Sequence, residues 1–315
     1  MPRPVLIDTD AGVDDALALI LAFRSPELSV KAITTVAGNV EVEKCTTNVL
    51  RILNLLQVRE TVVVAQGAKS PLRKKLFTAL EVHGRDGFGN VGTKWKPVSK
   101  RSHTRIDAVE TILTFCRRYG KKGTIVALGP LTNIARAMKK NTAALKNIGS
   151  LVTMGGAFRV PGNTGPVAEF NYYVDPEAAH IVLNSGAPVT VVPLDLTEQI
   201  VLMRREVEYR AARRASPVAA AVKDFTRFYM QYHKTKDGFF GGYVHDPTAV
   251  AAVIEPKLFW TRRVHIDVEA TGEWTRGMTV ADFRRTPRFG IPAVQVAFKV
   301  DRERFLKLFH ERIWK

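Results

Sequence analysis

The sequence predicts an α/β protein: a single domain over residues 1–315 with a mostly parallel central sheet, helices on both faces, and an active site at the carboxyl ends of the strands. Three observations carry that prediction. Short β-branched runs alternate with longer runs of helical periodicity, the rhythm that crossover connections between parallel strands impose. Polar or turn-forming residues follow the β-branched runs, so they should gather on the sheet edge where such folds bind ligands. No low-complexity linker or internal repeat divides the chain.

Residues 4–8, PVLID, read as the first strand, and DDALALILAF (14–23) as the helix behind it. VKAITTVAG (30–38) precedes the helix-like VEKCTTNVLRILNLL (42–56), and TVVVAQG (61–67) makes a third strand. GTIVALGPLT (123–132) leads into NIARAMKKN (133–141), while IGSLVTMGG (148–156) and APVTVVPLD (187–195) supply two more strands. The strand-following residues are therefore Asp8 and Asp10, Gly38-Asn39, Leu128-Gly129-Pro130, Met154-Gly155-Gly156 and Asp195. Two irregular stretches, 69–92 and 155–179, interrupt the rhythm, and long loops in compact domains tend to be functional. Beyond about residue 255 the pattern changes to a terminal hairpin, formed by 263–283 and then 293–300, with a closing helix over 301–313.

Composition narrows the class. With 46% hydrophobic and 24% charged residues the chain reads as globular, and no stretch approaches the roughly 20 uncharged apolar residues that span a bilayer. A signal-peptide pattern is absent from the start, so a cytoplasmic location without membrane association is expected. Cys45 and Cys116 form no metal-ligand or redox spacing and read as reduced core thiols. The net charge of +17 raises the question of nucleic acid, yet the basic residues are scattered over segment ends and helix faces without a recognition signature. No specific nucleic-acid partner is expected.

The most informative stretch is VLIDTDAGVDDALALILAF, residues 5–23, which packs Asp8, Asp10, Asp14 and Asp15 into eight positions. Asp8 and Asp10 alternate where the strand ends, so their side chains aim to one side. Asp14 and Asp15 fall in the first turn of the next helix, where the backbone dipoles favour negative charge. One reading is a helix cap with solvated loop charges; the other is a hard divalent cation, calcium or magnesium, that relieves the repulsion among four carboxylates. An Asp-x-Asp after the first strand also occurs in haloacid-dehalogenase-type phosphatases, but their late Gly-Asp pair is missing. A dinucleotide fingerprint is excluded, since this turn has one glycine where three are required.

The stretch DTDAGVDDALAL closely resembles the signature of the inosine-uridine-preferring nucleoside hydrolase family, enzymes that cleave the N-glycosidic bond of ribonucleosides. AGN (37–39), VHGRDGFG (82–89), ALGPLTNIA (127–135), MGGAF through GN to AEFN (154–171) and HDPTAV (245–250) continue the likeness in order across nearly the whole chain. The resemblance implies a Rossmann-like nucleoside hydrolase fold and a calcium ion held by Asp10, Asp15, Asp246 and the backbone carbonyl of Leu128. It further implies ribose contacts from Asp14, Asn39, Asn163, Glu169 and Asn171, with Met154 packed nearby, and a homo-oligomer, dimer or tetramer, serving nucleobase salvage. AEFN, in an extended loop, puts Glu169 and Asn171 on one side and the Phe170 ring on the other.

Such a reaction passes through an oxocarbenium-like sugar, so it needs an activated water, ring stabilisation and help for the departing base. Asp10, beside the ion, is the expected general base. His245 is the leading candidate for the acid, as an imidazole near neutrality suits proton donation, and His83 is a second group on the base side. Tyr229, Tyr232, His233, Asp237, Phe239 and Tyr243 offer rings and polar groups for a nucleobase. A histidine in both base-side regions, with no tryptophan in either, leans toward broad or pyrimidine preference. Two other readings stand beside this one: a modified nucleoside or other N-riboside as substrate, and a non-catalytic nucleic-acid-binding protein on the same fold.

Overall fold

The computed structural model describes residues 1–96, 104, 106–286, 290 and 293–315. In chain order the strands are β1 (Arg3–Thr9), β2 (Leu28–Thr35), β3 (Val63–Gln66), β4 (Thr124–Ala127), β5 (Ser150–Met154), β6 (Val189–Val192), β7 (Val201–Met203), β8 (Gly241–Tyr243), β9 (Phe259–Val264), β10 (Ile266–Val268), β11 (Thr279–Ala281) and β12 (Val294–Val300). Eight of them form one sheet in the order β3-β2-β1-β4-β5-β6-β12-β9. Every pairing in it is parallel except that of the edge strand β9 with β12.

Alternation along each strand feeds two cores. Val5 and Ile7 of β1 join one apolar cluster and Leu6 joins the other; Val126 of β4 joins the first, Ile125 and Ala127 the second. Buried on both faces, such strands must be apolar throughout, which is why they read as continuous β-branched runs. The helix Val13–Phe23 buries ten of its eleven residues, lacks a polar face and is accordingly enclosed. Its neighbour is the helix His245–Ile254. Cys45 and Cys116 are free and buried, as their helix positions suggest.

The order of winding across the sheet reverses at β1. From β1 the chain winds outward through β2 and β3, then returns to lay β4 on the opposite side and proceeds through β5 and β6. The crevice beyond the carboxyl ends of β1 and β4 is thus the topological switch point, where open α/β sheets receive ligands. Leu128 N donates to Asp8 O at 2.7 Å and closes the base of that crevice.

The C-terminal region differs in part from its sequence pattern. β10 and β11 do form a hairpin inside 263–283, but β12 leaves it and enters the main sheet between β6 and β9. Val296 and Ala297 are completely buried in opposite cores, an environment that a peripheral hairpin cannot provide. Among the described residues no helix is long and apolar enough to cross a membrane.

Asp175 ties the first irregular stretch to the sheet layers. It caps the helix Pro176–Leu183 through Ala178 N (3.0 Å), and its other oxygen accepts from Thr132 Oγ1 (2.6 Å) and Leu72 N (2.9 Å). Asp175→Ala removes the cap and leaves two donors unsatisfied, so urea denaturation should show a loss of about 1–3 kcal/mol. An unchanged midpoint would contradict this linking role.

Candidate active site

The site begins where β1 ends. Asp10 Oδ2 accepts from Asn39 N at 2.7 Å, and two glycines make space for the carboxylate. A Cβ on Gly38 would lie 2.2 Å from Asp10 Oδ2, and one on Gly129 would lie 2.8 Å from Asp10 Oδ1. Next, Ala11 adopts φ +32°, a left-handed conformation costly for alanine. Neighbouring groups hold that turn: Asn48 Nδ2 donates to Ala11 O and Cys45 Sγ to Asp10 O, each at 2.9 Å. The turn delivers Asp14 and Asp15 to the N-terminus of their helix.

Packing of Val13–Phe23 against His245–Ile254 brings a second acidic helix start to the same place, since Asp246 lies in the first turn of the latter. Asp14, Asp15 and Asp246, all buried, each offer an oxygen within 4.8 Å of the others. Asp15 accepts from the Thr9 hydroxyl, from Gly12 N (2.8 Å) and from Asn39 Nδ2 (3.1 Å). Burial pushes Asp14 up to about 8, with the charge of Asp15 adding to it. Asp10 is raised well above the usual carboxylate range by burial and by the charges of Asp15 and Asp14, Asp246 by burial and by the charges of Asp14, Asp15 and Asp10, and Asp15 is raised by burial against its hydrogen bonds. Asp8 stands behind this group, with Oδ1 accepting from Thr34 Oγ1 and Asn133 Nδ2; burial lifts it to about 7.

Buried carboxylates gathered without a compensating positive side chain, all presenting oxygen, fit a hard divalent cation. Leu128 O can add a neutral ligand. It already accepts from Asn171 Nδ2 at 2.7 Å, leaving its second lone pair. The resemblance gave Asp14 to the sugar, but the tight triad includes it, so Asp14 is also within reach of the ion position.

A cavity of about 590 Å³ opens from the carboxylates. At one end Asn171 uses its amide nitrogen on Leu128 O and on Met154 O (3.2 Å), which turns its carbonyl oxygen into the group left for a ligand. Glu169 caps the helix Phe170–Val174, accepting from Asn171 N, Tyr172 N and Gly156 N, and burial raises it to about 7. Asn163 Oδ1 takes Phe170 N at 2.9 Å, while the Phe170 ring lies 6.5 Å from Phe77. Asn39 also lines this end, with both nitrogens committed to Asp10 and Asp15.

The opposite wall is aromatic. His83 Nδ1 accepts from Val13 N (3.1 Å), and its ring stacks with Tyr229 at 5.8 Å. His233 Nδ1 meets Asp237 Oδ2 at 2.6 Å between the rings of Tyr229, Phe239 and Tyr243. His245 Nδ1 lies 2.7 Å from Thr197 Oγ1. The sequence suggests an imidazole near neutrality at His245; instead burial, helped by His233 and His83, pushes it down to about 3 and keeps the ring uncharged. His83 is likewise pushed down to about 3, chiefly by burial.

Every residue singled out for the sugar and base lines this one cavity except Phe239, which packs behind its wall on His233 and Tyr243; Asp10, Leu128, Asp246 and His245 line it too, and Asp15 lies buried just behind. Asp195 does not line it, for its carboxylate is spent on Phe158 N and Arg159 N. Sequence reasoning missed Glu198 and Phe77 on the cavity wall and Thr197 behind His245. A polar residue shortly after the β6 strand was the available sign for the first.

The comparisons agree with this geometry. A family model described as inosine-uridine preferring nucleoside hydrolase matches residues 5–307. A relative from Salmonella enteritidis PT4 (strain P125109), named pyrimidine-specific ribonucleoside hydrolase RihA, is 41% identical over 315 residues, covering 99% of each chain. Among solved structures, the plant nucleoside hydrolase PpNRh1 superposes with a TM-score of 0.92 at 36% identity, covering 99% of both chains. The purine-preferring ribonucleoside hydrolase from Gardnerella vaginalis gives 0.91 at 36% identity, covering 99% of this chain and 98% of that one. Fold and matches together define an enzyme of the class that hydrolyses N-glycosyl compounds. The chain belongs to the inosine-uridine preferring nucleoside hydrolase family.

Raised carboxylates make a pH prediction with a definite sign. Asp8 at about 7 and Asp14 at about 8 sit above the ordinary value of 3.8, so the native state holds more protons than the unfolded state between those limits. In chelator, stability should therefore fall as pH rises from about 4 to about 8. Adding calcium or magnesium should raise Tm, most strongly at the alkaline end, with a stabilisation of about 2.7 kcal/mol at a hundredfold excess over Kd. A Tm indifferent to both pH and cation would refute the site.

Proposed function

We propose that the chain carries out calcium-dependent hydrolysis of the N-glycosidic bond of ribonucleosides, with pyrimidine nucleosides among its substrates, releasing free base and ribose for salvage. One observation carries the reading: a single cavity has a buried oxygen-only carboxylate centre at one end and a wall of histidine and tyrosine rings at the other. A nucleoside has the matching polarity, hydroxyls at its sugar and a flat heterocycle at its base. The name of the Salmonella relative supports the pyrimidine preference.

Asp10, Asp15, Asp246 and Leu128 O would hold calcium, with Asp14 at the boundary between ion and ribose. Bound there, the ion supplies a positive field that acidifies a nearby water and orients sugar hydroxyls. Asp10, beside the ion position, takes the proton of the attacking water as general base. Asn171 through its carbonyl oxygen, Asn163 through its amide nitrogen, and Glu169 receive ribose hydroxyls, while Asn39 braces Asp10 and Asp15 against each other. Met154 and Phe170 exclude water around the sugar. Carboxylates and carbonyl dipoles stabilise the cationic ring as the bond lengthens.

His245 serves the leaving group as a neutral donor. With the Thr197 hydroxyl donating to Nδ1, the ring presents Nε2–H to the departing base. His83 shares this arrangement, because Val13 N occupies Nδ1 and leaves the proton on Nε2.

Ribose release from uridine, cytidine and inosine in calcium tests the reaction, and no release from any of them would defeat it. Asp10→Ala should lower kcat by about 10²–10⁴-fold without lowering Tm. His245→Ala should slow uridine strongly but spare a riboside with an activated leaving group, which departs without a proton. Equal losses on both substrates would remove His245 from the acid role.

A further inference from the structure

Two carboxylates on the base-side wall have no assigned task, Glu81, which is exposed, and Glu198, which is half-buried. Glu198 directly follows Thr197, the residue that holds His245, and it lines the cavity with Tyr243, His233 and Asp237. Among the described residues its side chain makes no hydrogen bond or ion pair. The acids that push against it are both engaged elsewhere: Asp195 accepts from Phe158 N and Arg159 N at 2.8 Å, and Asp237 Oδ2 lies 2.6 Å from His233 Nδ1. Burial, reinforced by Asp195 and Asp237, raises Glu198 to about 7. A half-buried carboxylate with only like charges for company is unfavourable until a donor arrives. The same wall keeps His233 Nε2 buried without a partner, and with Asp237 on Nδ1 that nitrogen is a further acceptor.

An acceptor-rich wall discriminates between bases by what they carry outside the ring. Cytosine and uracil share ring size and glycosidic bond, but cytosine presents an amino donor where uracil presents a carbonyl acceptor. We propose, building on the hydrolase reading above, that Glu198 is a specificity-determining residue that accepts a hydrogen bond from an exocyclic amino group of the base, so that the enzyme favours cytidine over uridine. A site built to bind a donor rejects the analogue lacking it, because the buried acceptor is then left facing another acceptor.

The test is kcat/KM for cytidine and for uridine, in calcium at about pH 8, for the wild type, Glu198→Gln and Glu198→Ala. Gln is isosteric and can donate as well as accept, which guards against a packing effect. The wild type should prefer cytidine, and the cytidine-to-uridine ratio should fall by about tenfold or more in both variants. A wild-type preference for uridine, or a ratio that moves less than about twofold in variants of unchanged Tm, overturns the assignment. Release of ribose from neither nucleoside by the wild type overturns the hydrolase reading and this proposal with it.

Discussion

Mutual repulsion among four buried carboxylates is the constraint around which the rest of the molecule is arranged. Asp10, Asp14, Asp15 and Asp246 come from a strand end and two helix starts, and among the described residues none has a buried lysine or arginine beside it; Lys236 on the cavity wall is exposed. Helix dipoles offset a fraction of that cost, and the hydrogen bonds of Thr9, Gly12 and Asn39 to Asp15 and Asp10 a little more. Backbone concessions follow: glycine on both sides of Asp10, and a left-handed Ala11 pinned by Cys45 and Asn48. Each concession would be a pure loss in a protein that used this edge of its sheet for nothing.

The two ends of the cavity are built by different means. At the sugar end the functional groups are fixed by the backbone: Glu169 is a helix cap, Asn171 is clamped to Leu128 O, and Asn163 holds Phe170 N. At the base end the groups are side chains of the helix Pro217–Lys236 and the ribbon β7–β8, held mostly by ring contacts. The first end is thus tied to the main chain at each group, whereas most rings of the second are held by one another, Tyr229 alone among them reaching into the main core. Such a division accounts for a fold shared at TM-scores above 0.9 with one protein named purine-preferring, alongside a sequence relative named pyrimidine-specific.

What could be read from the sequence follows the same division. Alternating strands and helices, the switch-point location and the aspartate cluster are local patterns, and the chain carries them openly. The closeness of Asp246 to Asp14 and Asp15 is not local: it depends on two helices more than two hundred residues apart packing side by side, and only the family likeness bridged that separation. β12 was misplaced because a buried apolar strand looks the same whether its partner is a hairpin mate or the main sheet. Thr197 and Glu198 were missed because what places them at the cavity is distant in sequence, His245 in one case and His233, Asp237 and Tyr243 in the other.

One cause, exclusion of water, acts on both classes of titratable group and moves them in opposite directions. Burial disfavours charge, so the carboxylates rise, Asp14 to about 8, while the imidazoles of His83 and His245 fall to about 3. Left alone, the cavity would tend to be neutral throughout, with protonated acids facing uncharged rings. A cation at the carboxylate end would reverse the shift there, where it is nearest. The result would be a polarised chamber: ionised oxygens that can accept a proton at one end, neutral N–H groups that can donate at the other. Keeping an aspartate base and a neutral histidine donor in separate environments would let one small pocket push on both sides of a single bond.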